Sequence, residues 1–134
     1  MKNILFVCKH NRFRSKVAEA FFNKFNKNED YVAMSAGLIP GGYPLDELQV
    51  KVAKEFEIKL KGKPQAITTD LLRWMNLMII VADNAPCEIF NNKKYGREEI
   101  IWKVEDEENS NYNETCKIIK KIEDKVKKFV EGLK

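Results

Sequence analysis

Hydrophobic and polar positions divide the chain into two alternating kinds of segment. Four short segments have the apolar composition of strands: residues 3–8, 31–36, 77–82 and 99–104. Four others carry apolar residues at the spacing of a helix face: residues 15–26, 45–56, 69–75 and 118–133. This order of strands and helices predicts an α/β fold with three layers, in which a four-stranded parallel sheet is flanked by helices on both faces.

Length and composition indicate one domain. The chain has 134 residues, of which 44% are hydrophobic, and this is enough for one compact core over residues 1–134. Charged residues make up 33%, and the longest apolar run, residues 77–82, is far shorter than the ~20 residues that cross a bilayer. Because the first residues also lack the pattern of a signal peptide, we expect a cytoplasmic protein with no membrane partner.

Three features of the composition argue against further classes of protein. They are the distribution of basic residues, the cysteine spacing and the single histidine. The net charge is +4, and acidic residues interrupt the densest basic cluster, residues 117–128, as on a solvated helix face, so we expect no nucleic-acid partner. The three cysteines, Cys8, Cys87 and Cys116, contain no CxxC pair and fit neither a disulfide framework nor a zinc site. With His10 as the one histidine, we expect no metal.

Candidate chemistry is concentrated in the loop after the first strand. Residues 7–15 read VCKHNRFRS, in which five residues separate a cysteine from an Arg-Ser pair. Ligands of parallel α/β folds bind at the carboxyl ends of strands, and Cys8 stands at the first such end. Peptide N–H groups wrapped between a strand end and a helix N-terminus form an anion-binding cradle. The loop residues that would bind a phosphate in this way are Lys9, His10, Asn11, Arg12 and Phe13.

The side chains of this loop point to a cysteine nucleophile. The thiol of Cys8 faces the positive end of a helix and the guanidinium of Arg14, and both favour the thiolate. Arg14 offers two parallel donors to a phosphoryl group, and the Ser15 hydroxyl can donate to the sulfur. Asn11 tolerates the left-handed backbone that a tight cradle requires. Cys-x5-Arg also occurs by chance, but its place between a strand and a helix favours the functional interpretation.

The segment VCKHNRFRSKVAEAF, residues 7–21, resembles the low-molecular-weight protein-tyrosine phosphatases and the arsenate reductases that share their fold. Three further matches follow in order along the chain: SAG at residues 35–37, VAD at 81–83 and WKVED at 102–106. The resemblance implies a phosphatase that uses no cofactor and forms a cysteinyl-phosphate intermediate. It also implies a phosphotyrosine protein or a small aryl phosphate as substrate, with inorganic phosphate as product.

The resemblance assigns the general acid to Asp106. Its acidic neighbours Glu105, Glu107 and Glu108 would help to keep it protonated, as a proton donor for a tyrosine leaving group requires. Glu107 stands where the family has a proline. Asp83 is the next candidate for the acid, and Glu107 follows it.

Three other positions bear on the substrate and on the branch of the family. Tyr43 and Phe13 could supply apolar walls for an aryl group, although an aromatic ring in either place could equally pack inward. Phe13 also replaces the second loop cysteine of many family phosphatases, so a disulfide within the loop is excluded. His10 replaces a glycine, a change more familiar from the reductase-like branch.

Two alternatives to the phosphatase remain open. A phosphate-binding module without turnover would use the same loop. An arsenate reductase would need further cysteines to resolve the oxidised nucleophile, and its pattern places one where this chain has Asp83. Cys87 lies near the family's redox position, but a half-buried helix cysteine is the simpler interpretation, and Cys116 is expected in the core. We therefore expect phosphatase activity rather than arsenate reduction.

Overall fold

The computed structural model describes residues 2–39, 45–60, 62–83, 98–105 and 111–133. It contains four parallel strands: β1 (Lys2–Cys8), β2 (Tyr31–Gly37), β3 (Leu77–Val81) and β4 (Glu98–Trp102). Its helices are α1 (Arg14–Phe25), α2 (Glu47–Glu55), α3 (Thr69–Trp74) and α4 (Tyr112–Glu131). The predicted fold class is confirmed. Several positions singled out by the sequence lie outside the described residues: Tyr43, Cys87, Asp106, Glu107 and Glu108.

Strand β1 occupies an interior position of the sheet, whose order is β2-β1-β3-β4. It pairs with β2 along its whole length, so that Cys8 lies opposite Gly37, and with β3, so that Val7 lies opposite Ile80. All strands run in one direction, so their carboxyl ends share one edge of the sheet. That edge carries the loop after Cys8.

The alternating side chains of β1 build two separate cores. Ile4 and Phe6 pack with α1, α2 and α4 on one face of the sheet. Leu5 and Val7 pack on the other face with α3 and the residues around it. Because both faces of β1 are covered, the strand is apolar at every position from Ile4 onward, which is why its sequence shows no alternation.

Element boundaries differ from the sequence prediction by a few residues. The fourth strand ends at Trp102 rather than at residue 104, and α4 begins at Tyr112, ahead of its apolar stripe. Asn111 explains that start, because its side chain accepts a hydrogen bond from the backbone N–H of Glu114 and caps the helix. No helix in the described part of the chain is long and apolar enough to span a membrane.

Candidate active site

Cys8 ends β1 with its thiol enclosed by the loop that follows. The residue is 2% exposed. The backbone N–H of Asn11 donates to its Sγ at 3.2 Å, and the Ser15 Oγ lies 3.0 Å from the same sulfur. The loop thus directs a backbone donor and a hydroxyl at one sulfur atom.

Among the helices that the structure describes, α1 has a different N-terminus from the other three. The other three helices are capped by a side chain that accepts a hydrogen bond from a backbone N–H in the first turn. The caps of α2, α3 and α4 are Asp46, Thr68 and Asn111. The N-cap of α1 is Phe13, which offers no side-chain acceptor, and the first turn of α1 carries no acidic residue. The first N–H groups of a helix need partners and carry partial positive charge, so this end of α1 suits an exogenous anion.

Asn11 holds the loop in shape from its centre. Its φ is 58°, the left-handed conformation that asparagine tolerates. Its side-chain Nδ2 donates to the hydroxyls of Ser15, at 2.7 Å, and Ser35, at 3.0 Å. Its Oδ1 accepts from the backbone N–H of Gln65 at 3.0 Å. The side chain is fully buried, and these hydrogen bonds satisfy its buried polar atoms.

The hydrogen bonds around Asn11 leave the Ser15 proton available to the sulfur of Cys8. The Ser35 hydroxyl lies 2.7 Å from Glu19 Oε1, and an ionised carboxylate can only accept, so the proton of Ser35 points at Glu19. Ser35 and Ser15 then each accept one N–H of the Asn11 amide. Because Ser15 uses none of its own protons in accepting from Asn11, its hydroxyl can donate to the sulfur of Cys8 when that sulfur is a thiolate.

Gly37 is required by the close approach of the loop to β2. A Cβ at this position would lie 2.6 Å from the backbone carbon of His10 and 2.8 Å from the backbone nitrogen of Asn11. The pairing also continues beyond the strands, because Leu38 N donates to the carbonyl of Cys8 at 2.9 Å. The end of β2 therefore supports the back of the loop, and only glycine leaves the room for it.

Arg14 is held by groups at the ends of β3 and β4. Although charged, it is 2% exposed. Its Nη1 donates to the carbonyl oxygen of Val104 at 3.0 Å and lies 3.9 Å from Oδ1 of Asp83. The backbone N–H of Asp83 donates to the same Val104 carbonyl at 3.0 Å. These contacts place Asp83, the second candidate for the acid, beside the guanidinium as a charge partner.

The remaining residues that were predicted to bind substrate lie either in the loop, half-buried, or in the core. Lys9, His10 and Arg12 are half-buried in the loop. The Phe13 side chain is 4% exposed and packs in the core with the α1 residues, so its ring points inward and is not a wall for an aryl group. Tyr43, the other aromatic candidate, lies outside the described residues.

Sequence reasoning did not assign roles to Glu19, Ser35, Gly37 or Gln65. Glu19 belongs to the AEA segment, and Ser35 and Gly37 to the SAG segment, so the family pattern was the available signal. Gln65 follows no recognised motif. In the described part of the chain, no cluster of three or more histidine, cysteine or acidic residues could hold a metal ion.

Comparison with known proteins identifies the family. Residues 3–134 match the model of the low molecular weight phosphotyrosine protein phosphatases. The chain belongs to this family. It is thus an enzyme of the superfamily in which low-molecular-weight phosphatases and arsenate reductases share one fold, as its sequence resemblance indicated.

The solved structures similar to this phosphatase-family chain are of proteins named for different activities. An arsenate reductase from Archaeoglobus fulgidus is 28% identical, with a TM-score of 0.78, and the match covers 96% of this chain and 98% of that one. A low-molecular-weight protein tyrosine phosphatase from T. tengcongensis is 24% identical, with a TM-score of 0.83 and coverages of 98% and 99%. The YwlE arginine phosphatase from Geobacillus stearothermophilus is 18% identical, with a TM-score of 0.84 and coverages of 99% and 93%. The last two demonstrate the shared fold.

Proposed function

We propose that this family member is a phosphomonoester hydrolase that acts on a phosphotyrosine protein or a small aryl phosphate. The observation that carries the proposal is the convergence of the Ser15 hydroxyl and the Asn11 N–H on the sulfur of Cys8, beside the uncapped start of α1. Donors aimed at a thiol stabilise its thiolate, and backbone N–H groups at a helix start bind the phosphate that this thiolate attacks.

The first step transfers the phosphoryl group to Cys8. The thiolate attacks phosphorus, a P–S bond forms, and the bond between phosphorus and the ester oxygen breaks. The N–H groups of residues 9–14 and the guanidinium of Arg14 bind the phosphoryl oxygens, whose charge is largest in the transition state. Asp106 donates a proton to the leaving phenolic oxygen, because an aryloxide without a proton leaves slowly.

The second step releases phosphate. Water attacks the phosphorus of the cysteinyl-phosphate, the P–S bond breaks, and Cys8 leaves as a thiolate that accepts a hydrogen bond from the Ser15 hydroxyl. The Asp106 carboxylate accepts the proton of the attacking water and is ready for the next cycle. The reaction needs no cofactor, and we place it in the cytoplasm, with inorganic phosphate as its product.

A second candidate function is arsenate reduction by the same loop. It is supported by the 28% identity to the arsenate reductase from Archaeoglobus fulgidus. Against it, the end of β3 carries Asp83 where the reductase pattern has a cysteine, and Asp83 is engaged with Arg14. Cys116 lies on α4 and packs against the core on one face of the sheet, whereas Cys8 belongs to the core on the other face. A resolving thiol would therefore have to come from Cys87 or from a small-molecule thiol.

One experiment on the purified chain separates these functions. Hydrolysis of an aryl phosphate and reduction of arsenate are measured side by side, the latter with thioredoxin, glutathione and mycothiol as separate thiol donors. We expect multiple turnovers of the ester and little or no arsenite. Arsenite formed over many turnovers and lost in Cys87→Ser would instead make Cys87 the resolving thiol and the chain a reductase.

A further inference from the structure

Ile39 is an exposed apolar side chain next to the loop after Cys8. In the described part of the chain, four large hydrophobic residues are exposed: Val32, Ile39, Ile101 and Tyr112. Ile39 is 45% exposed and follows the last residue of β2 by two positions, at the carboxyl edge of the sheet. Val32 lies near the opposite end of β2, beside Asn3, and the other two lie on β4 and α4. Of these four, Ile39 is the one that borders the proposed phosphate site.

The backbone that carries Ile39 is tied to this loop. The N–H of Ile39 donates to the carbonyl oxygen of Lys9 at 2.9 Å, and the N–H of Leu38 donates to the carbonyl oxygen of Cys8 at 2.9 Å. The preceding residue of β2 forms two more backbone hydrogen bonds, with residues 65–67. The position of Ile39 beside the nucleophile is therefore set by backbone bonds and does not depend on its own side chain.

The side chains of Leu38 and Ile39 lie in different environments. Leu38 is half-buried and packs against the core that contains Leu5 and Val7, whereas Ile39 remains exposed. The apolar surface of Ile39 thus meets water at the edge of the sheet where ligands of parallel α/β folds bind. Because a β-branched side chain has few rotamers, this surface is held in place before a ligand binds.

An aryl phosphate needs an apolar contact as well as a cradle for its phosphate. The half-buried residues of the loop, Lys9, His10 and Arg12, carry basic or polar side chains, and the ring of Phe13 is turned into the core. Among the described residues bonded to the loop, Ile39 has apolar surface that is open to a ligand. Burial of that surface by a ligand is favourable in proportion to the area removed from water.

We propose that Ile39 is a specificity-determining residue that packs against the hydrocarbon group attached to the phosphate of the substrate. The proposal rests on the proposed function and narrows it, because it favours phosphate esters whose hydrocarbon part reaches the end of β2. Ile39 contacts no reacting atom. It therefore stabilises the bound substrate and the transition state alike, and its loss raises KM and leaves kcat unchanged.

The test compares two ligands that carry the same phosphonate, benzylphosphonate and methylphosphonate, by calorimetric titration. In Ile39→Ala we expect benzylphosphonate to bind on the order of 5-fold more weakly, as the loss of about 40 Å² of apolar contact would produce, with methylphosphonate unchanged. Ile39→Leu keeps the apolar volume and should bind benzylphosphonate nearly as well as the unsubstituted chain. Val32→Ala is the matched control, because Val32 is 38% exposed on the same strand but lies at its other end. It should change neither affinity.

Three results would overturn the proposal. The first is an unchanged affinity for benzylphosphonate in Ile39→Ala. The second is equal weakening of both phosphonates, which would mean that the substitution distorts the loop and removes no contact with the hydrocarbon group. The third is the same selective loss in Val32→Ala. Steady-state kinetics with phenyl phosphate provide a second measurement, in which Ile39→Ala should raise KM, and a lower kcat with unchanged KM would also contradict the proposal.

Failure of this inference is distinguishable from failure of the proposed function, because the titration requires no turnover. A chain that hydrolyses aryl phosphates but binds benzylphosphonate equally well with and without Ile39 contradicts only the inference. A chain without phosphatase activity that loses benzylphosphonate selectively in Ile39→Ala contradicts only the proposed function. A chain that binds neither phosphonate contradicts both.

Discussion

The guanidinium of Arg14 donates a hydrogen bond to the carbonyl oxygen of Val104 at 3.0 Å, across 90 positions of the sequence. The contact joins the first residue of α1 to the chain beyond β4, two positions before Asp106. Asp83 N donates to the same carbonyl, so three separate parts of the chain meet there. The proposed phosphate clamp and the segment leading to the proposed acid are thereby held in one arrangement.

We expect Arg14→Lys to lower kcat/KM for an aryl phosphate by on the order of 10²-fold or more, as removal of a preorganised oxyanion donor does. Lysine keeps the charge but lacks the planar fork that would bind two phosphoryl oxygens while a further N–H contacts Val104. Arg73→Lys, on the exposed side of α3, is the control and should change nothing. A near-normal rate in Arg14→Lys would mean that Arg14 is a structural residue only.

Ser15→Ala removes the hydroxyl that lies 3.0 Å from the Cys8 sulfur. Hydrogen bonds to charged groups contribute about 1.5–3 kcal/mol, which corresponds to a loss of about 10- to 100-fold in kcat. Ser35→Ala removes a hydroxyl that bonds to Asn11 rather than to the sulfur, so the loss in kcat should be smaller. Steady-state kinetics of both variants check this order, and equal losses would show that the two hydroxyls do not act in sequence.

Gly37→Ala tests the support of the loop by β2. Its Cβ would lie 2.6 Å from the His10 backbone, and overpacking of this kind costs about 1–3 kcal/mol. We expect a lower Tm together with lower activity, because the displaced atoms belong to the loop itself. Gly132→Ala is the matched control, since its nearest contact would be 3.4 Å. Thermal unfolding of both variants decides; equal Tm values would contradict the close approach.

Asp106→Asn should slow esters with poor leaving groups much more than esters with good ones, because only the former need a proton. The basic limb of the pH profile should flatten in the same variant, since that limb reports loss of the acid. Rates for a series of aryl phosphates of graded leaving-group acidity check this. Equal slowing across the series would point to a positional role for Asp106, and Asp83→Asn would be measured next.

The sequence predicted the elements well because their signals are local. The continuous apolar run of β1 and the helical stripe of α4 each lie within one segment, and the order of segments then determines the parallel sheet. The Cys-x5-Arg-Ser spacing predicted the loop for the same reason, and the left-handed conformation of Asn11 agrees with its residue type.

The partners of Asn11 could not be derived in this way, because they are distant in the sequence. Ser35 is 24 positions and Gln65 is 54 positions from it, and no periodicity relates them. The inward direction of the Phe13 ring was equally undecided, since both an exposed wall and a core position suit an aromatic residue. Tertiary packing against α1 decided it.

The central claim, a cysteinyl-phosphate on Cys8, is tested most directly by trapping it. The protein is mixed with a radiolabelled aryl phosphate, quenched rapidly in denaturant and digested, and the labelled peptide is identified. We predict label on the sulfur of Cys8, and neither label nor turnover in Cys8→Ser, which should still fold and bind phosphate. Label on another residue, or continued turnover in Cys8→Ser, would contradict the account.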